Sequence, residues 1–215
     1  MKRVIIVCEG ATEQEFCENI LQPYFMKLGV SIEAPGIKKS GGGIVGWNAI
    51  KKQLIGHLNE NAIVTTFIDF YGLKESHGFP KWKDAEKIVN KSERMDFLEA
   101  SMREDFDPKY HHLLHPYLQL HEFEGLLFNN IEVFDDIFDE ADFVDRDAIE
   151  KVINDHPNPE LINDDPETAP SKRLERFMEK YKKTIHGIIL AEDIGLERMR
   201  AKCPRFNAWI AKLEE

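Results

Sequence analysis

Two short apolar runs, each closing on an acid, constrain this chain more than any other feature. Val4-Ile5-Ile6-Val7-Cys8 is followed by Glu9, and Ala62-Ile63-Val64-Thr65-Thr66-Phe67-Ile68 is followed by Asp69. Continuous β-branched runs of this length read as strands buried on both faces, the pattern of a mostly parallel sheet covered by helices. Directly after the first run, Thr12 with Glu15 three residues on reads as a capping box that opens a helix. Glu9 is thereby placed at the carboxyl end of a first central strand. In open α/β sheets that edge is where ligands bind.

The rest of the chain fits this frame. Phe16, Ile20, Leu21, Phe25 and Leu28 recur at helical spacing and predict a helix over residues 13–28, ended by Gly29. A weak strand is expected at 30–34, then a basic, glycine-rich loop at 38–43 and a helix over 45–59. After Asp69 a charged helix is expected over 84–105. Residues 112–120 read as a further strand interrupted by Pro116, which argues against a central position in the sheet. It leads into His121-Glu122-Phe123-Glu124-Gly125. From about residue 129 the strand signal stops. Short acidic helices are expected at 131–138 and 147–154, a proline-rich loop at 157–170, and helices at 171–181, 184–193, 195–201 and 205–214. The expected architecture is therefore α/β: a mostly parallel sheet with helices on both faces in residues 1–128, and an all-helical region in 129–215.

The formal net charge is -11, from 28 Lys and Arg against 39 Asp and Glu. Such a balance argues against binding nucleic acid through charge alone. It leaves room for an enzyme that meets nucleic acid through a metal ion and a local basic patch. Cys8, Cys17 and Cys203 form no CxxC pair and read as buried thiols of a reducing compartment. No apolar run reaches membrane-spanning length, and the first eight residues are too short for a signal peptide. A cytoplasmic protein with no membrane partner is expected.

Strands ending on Glu9, Asp69 and the Glu122/Glu124 pair would gather carboxylates on one sheet edge. Like charges there repel unless a cation sits among them. Mg²⁺ suits such a set, because it takes hard oxygen ligands, few of them from protein, and keeps several waters. The chemistry that fits is phosphodiester cleavage or another phosphoryl transfer. Glu13 is either a further member of this set or a helix-start charge favoured by the dipole. Glu122 and Glu124 are two apart, and Glu122 is the one expected to face the site. Lys39, in the glycine-rich loop, is a candidate phosphate contact. Lys172 and Arg173 follow Pro170 at a helix start, where cations are disfavoured; they either meet an anionic partner, substrate phosphate or the acid cluster itself, or are simply solvated.

Glu9-Gly10-Ala11-Thr12-Glu13 after one strand and Asp69-Phe70-Tyr71 after another resemble the Toprim domain of topoisomerases, primases and OLD-type nucleases. Together with His121-Glu122-Phe123-Glu124-Gly125-Leu126-Leu127-Phe128, Ala169-Pro170-Ser171-Lys172-Arg173-Leu174 and Ile194-Gly195-Leu196, they are similar to an uncharacterised bacterial Toprim-related family. The resemblance implies a Toprim-like fold whose edge acids bind Mg²⁺ or Mn²⁺. It makes Glu9 the catalytic glutamate and metal contact, Glu13 the second acid of the EGxTE motif, and Asp69 the first aspartate of the DxD motif. Tyr71 stands where the second aspartate belongs, which leaves three alternatives: Glu122 or Glu124 replaces it, the site binds one metal weakly, or catalysis is lost.

The function expected from these readings is a metal-dependent phosphodiesterase or nuclease acting on nucleic acid, in the setting of genome defence that the resemblance implies. Two alternatives stand beside it. One is a non-catalytic module that binds a protein partner such as an ATPase. The other is a small-molecule phosphotransferase, which suits the acidic charge.

Overall fold

The computed structural model describes residues 2–38, 45–162 and 166–215, and Lys39 with the rest of the glycine-rich loop lies outside the described residues. The chain divides into two compact units, Met1–Leu120 with Glu214, and His121–Leu213 with Glu215. The division falls eight residues before the one expected after Phe128.

The first unit is built on a parallel sheet. β1 (Lys2–Cys8) pairs with β2 (Val30–Glu33) on one side and β3 (Ile63–Asp69) on the other. Residues Val4 to Cys8 are buried throughout, as are Val64 to Asp69, so both central strands are covered on both faces. On one face Ile5, Val7, Val64 and Ile68 pack with Trp47, Ile50 and Leu54 of α3 (Trp47–Leu58). On the other, Phe16 of α1 (Ala11–Phe16) meets the edge of Phe67, ring centroids 5.9 Å apart. The alternation of side chains along each strand distributes these contacts between the two layers of helix.

Three expected elements of this unit differ in detail, each for a local reason. The helix expected over 13–28 runs as α1, a π turn (Cys17–Leu21) and α2 (Gln22–Lys27). Pro23 has no N–H to give to the preceding turn, and the wider π turn directly before it accommodates that loss.

The helix expected over 84–105 is broken into α4 (Trp82–Ala85) and α5 (Lys91–Glu104). Asn90 caps α5 by accepting the Glu93 amide at 3.2 Å, and the Arg94 guanidinium ties down the Ile88 carbonyl. The strand expected over 112–120 is two short pieces, β4 (Leu114–His115) and β5 (Leu118–Gln119), both parallel to β3. Pro116 interrupts them. Across the gap the Thr66 hydroxyl takes over the ladder, accepting from the Tyr117 amide at 2.9 Å and donating to the Tyr117 carbonyl at 2.7 Å. The long path of the sheet has the order β2-β1-β3-β4.

The second unit is helical: α6 (Ile131–Ile137), α7 (Arg146–Asp155), α8 (Pro170–Phe177), α9 (Lys183–Lys202) and α10 (Pro204–Glu214). α8 stops four residues short of the expected end. Met178 is extended and forms an isolated antiparallel bridge with Phe143. The two helices expected on either side of residue 194 are both present within the span of α9, parted by a kink at Gly195, whose φ 74° and ψ 155° are not helical. That conformation is open essentially to glycine alone. A Cβ there would meet nothing within 4 Å, so the cost of replacing it is conformational and not steric. Gly195→Ala is expected to lower stability by about 1–3 kcal/mol, read as a lower urea midpoint with an unchanged slope. An unchanged midpoint would mean that the kink is not required by the fold.

Among the described residues no helix is long and apolar enough to cross a membrane. Cys8, Cys17 and Cys203 are free and buried.

Candidate functional site

The sheet order decides where a ligand can enter the first unit. The chain leaves β1 to one side for β2, then crosses back to the other side of β1 for β3. The connections therefore diverge at the β1/β3 boundary, the position in flavodoxin-like sheets where a crevice opens beyond the strand carboxyl ends. Glu9 and Asp69 stand at these two ends. Glu9 donates its amide to the Phe67 carbonyl at 3.0 Å, which continues the ladder, and its Oε2 accepts the Asp69 amide at 3.0 Å. The Asp69 side chain is buried and Glu9 is partly exposed.

The turn after Glu9 is held by the helix that follows it. Gly10, not Thr12, is the N-cap of α1, and Glu13 Oε2 accepts the Gly10 amide at 2.9 Å. The capping acid is thus Glu13, not Glu15, because the helix begins two residues earlier than its expected start. A Cβ on Gly10 would sit 3.0 Å from Glu13 Oε2, so a side chain there would have to displace that carboxylate by a few tenths of an ångström. After Asp69 the chain makes a 3-10 turn (Phe70–Gly72), in which Phe70 stacks on Trp82 and Tyr71 stays 39% exposed. Tyr71, at the place of the second DxD aspartate, is therefore not a core aromatic.

Glu122, Glu124, Lys172 and Arg173 all belong to the second unit, where they are joined by two residues that the sequence pattern did not single out, Tyr181 and Lys183. Glu122 Oε2 accepts the Ser171 amide at 3.0 Å at the start of α8. A carboxylate there offsets the cations at the same helix start, and Lys172 feels the charge of Glu122 after that of its own partner Glu175. Arg173 donates to the Thr168 carbonyl at 2.7 Å.

Glu124, in the 3-10 turn Phe123–Leu127, is fully buried. Lys183 Nζ lies 3.0 Å from its Oε2, yet neither carboxylate oxygen has a hydrogen bond, so the approach is too oblique for a directed bond. Burial pushes the Glu124 carboxyl up to about 7, against the pull of Lys183 and with help from the Glu122 charge. The nearby Tyr181 hydroxyl is also buried without a hydrogen bond, and its pKa is pushed up by burial and then by Glu124. Lys183 and Tyr181 lie far along the chain from Glu124, so no local spacing reveals them. Glu160, also buried, serves the fold, since its carboxylate caps α10 by accepting the Arg205 and Phe206 amides at 2.9 and 3.0 Å.

A family model described as "Domain of unknown function (DUF4276)" matches residues 8–214. The chain belongs to the DUF4276 family. No curated protein and no solved structure matches it.

Whether this DUF4276 domain suits a divalent cation turns on its donors. Among the described residues no group of three or more His, Cys, Asp or Glu side chains is arranged to hold a metal ion. An all-protein cage of the Zn²⁺ or Ca²⁺ kind is not what these residues offer. Mg²⁺ is bound differently, through one or two carboxylates, several waters and the phosphate of a substrate. Glu9 and Asp69 fit that mode: two hard oxygen donors at adjacent strand ends. Glu13 is engaged with the Gly10 amide, and its part is to hold the turn that carries Glu9.

Proposed function

We propose that this DUF4276 protein is a Mg²⁺- or Mn²⁺-dependent phosphodiesterase of Toprim-like type that acts on nucleic acid. The observation that carries the reading is the pairing of Glu9 with Asp69 at the β1/β3 switch point, one carboxylate seated on the other residue's amide. Glu9 and Asp69 would hold the ion, and Glu9 is the group placed to accept a proton from water. When bound, the ion would polarise a phosphoryl oxygen and favour attack by water. The chain's own contribution is to fix the two carboxylates on rigid strand ends and to anchor the Glu9 turn through Glu13.

The test is cleavage of labelled single- and double-stranded DNA and RNA in Mn²⁺, in Mg²⁺ and after chelation by EDTA. The proposal expects cleavage of at least one polymer with metal and none with EDTA. Cleavage that survives EDTA, or no cleavage of any of them, would defeat it. The tyrosine at 71 favours a second reading, a non-catalytic Toprim-like module that binds a protein partner such as an ATPase, and a complete lack of turnover would favour that reading over the first.

A further inference from the structure

The sequence of the second unit is electrostatically uneven. Residues 132–150 carry nine acids against Arg146 alone. Residues 172–183 reverse this: Lys172, Arg173, Arg176, Lys180, Lys182 and Lys183 face only Glu175 and Glu179. That is a local excess of four positive charges in a chain whose net charge is -11. The acid-rich stretch runs beside it, with the Glu179 amide on the Asp142 carbonyl and the Val144 and Asp145 amides on the Phe177 carbonyl, so the cations left for an outside anion are those that its carboxylates do not reach.

The structure arranges these cations along α8, the turn that follows it and the first residue of α9. Lys172, Arg176, Lys180 and Lys182 are exposed. Lys172 pairs with Glu175 at 2.6 Å on the surface, an arrangement of small net value that an incoming phosphate can exchange. Among the described residues no carboxylate lies within ion-pair distance of Arg176, Lys180 or Lys182. Lys183 is held by the buried Glu124. Between them Tyr181 packs inward, its ring 5.7 Å from that of His186 and its hydroxyl buried.

We infer that residues 172–183 form a phosphate-backbone-binding surface for nucleic acid, with Arg176, Lys180 and Lys182 as its principal contacts. The inference rests on the nucleic-acid reading of the function, and it supplies the local basic footprint that the overall charge lacks. A polyanion would gain affinity here by releasing counterions, so its binding must weaken steeply with salt. Phosphate contacts of this kind position a strand without reading its bases.

The experiment is fluorescence anisotropy of labelled oligonucleotides, single-stranded and duplex, titrated with the full chain in EDTA at a series of salt concentrations. EDTA removes the metal step, so failure here and failure of the cleavage test are separate results. Wild type is expected to bind, with affinity falling as salt rises. The triple variant Arg176→Gln, Lys180→Gln, Lys182→Gln is expected to lose at least about tenfold in affinity and to reduce the salt slope by about one for each contact removed. A control triple, Lys27→Gln, Lys52→Gln, Lys87→Gln, removes the same charge elsewhere and is expected to leave the slope unchanged. The inference is overturned if neither oligonucleotide binds wild type at low salt, if the first triple binds like wild type, or if both triples weaken binding equally. Retained circular dichroism and melting temperature in the variants would show that the loss is one of contact and not of fold.

Discussion

Glu9→Gln is expected to lower metal-dependent cleavage by about 10²–10³-fold while leaving the fold intact. Glu9 serves in two ways. Its Oε2 accepts the Asp69 amide, which ties the end of β1 to the end of β3. Its charge is the second contribution, and it is the one needed to hold a hard cation. Glutamine keeps an acceptor oxygen of nearly the same reach, so the first survives and the second is removed. The loss of a ligand charge at a metal that stabilises the transition state costs several kcal/mol, which sets the expected factor. Asp69→Asn should behave likewise. Glu9→Ala removes both contributions and should add a loss of stability that the glutamine variant does not show. Steady-state rates of the three variants, read beside their melting temperatures, check this. Equal rates in wild type and Glu9→Gln would mean that Glu9 is only a strand-end hydrogen-bond acceptor.

The second large effect is on stability and comes from Glu124. Its carboxyl is fully buried, and burial raises its pKa from an ordinary 4.5 to about 7. The folded state therefore holds the proton more tightly than the unfolded chain does. The resulting stabilisation is complete below pH 4.5, is lost as pH rises towards 7, and stays lost above it. A rise of that size corresponds to about 3 kcal/mol. Glu124→Gln cannot ionise, so it escapes the loss. Lys183, whose side chain is 40% exposed, can turn to water when its partner becomes neutral. The variant should match wild type near pH 4 and exceed it by about 3 kcal/mol near pH 8, measured by urea unfolding at a series of pH values between the two. Parallel stability curves would show that Glu124 does not titrate across this range.

The sheet was legible because its central strands are buried on both faces. Val4 to Cys8 and Val64 to Ile68 have no alternative use, and each ends on the acid that marks the edge. The interruption at Pro116 was legible as well, but not its repair, because the Thr66 hydroxyl reaches Tyr117 across strands far apart in sequence. The break in the helix over 84–105 had a local signal, Asn90 with Glu93 three residues on, which the charged periodicity outweighed. At the candidate site, the strand-end positions of Glu9 and Asp69 followed from the sequence, whereas the role of Glu13 depended on where α1 begins. Of the two roles left open for Glu13, member of the acid set or helix-start charge, the start of α1 at Ala11 gives it the second, as the acceptor of the Gly10 amide.

The Glu122/Glu124 pair shows the limit of spacing arguments. Two residues apart they diverge on a helix and share a face on a strand, and the chain adopts neither form there. After the left-handed His121, Glu122 is extended and caps α8, while Glu124, inside the 3-10 turn that follows, enters the core. The partners that give Glu124 its character, Lys183 and Tyr181, are set by tertiary packing and leave no mark on the local sequence.

Binding of a divalent cation at the β1/β3 edge is the central claim. Calorimetric titration of wild type, Glu9→Gln and Asp69→Asn with Mn²⁺ tests it most directly. The predicted result is one weak site in wild type, detectable at millimolar Mn²⁺ and absent from both variants. Binding that neither substitution changes, or no binding by wild type at all, would contradict it.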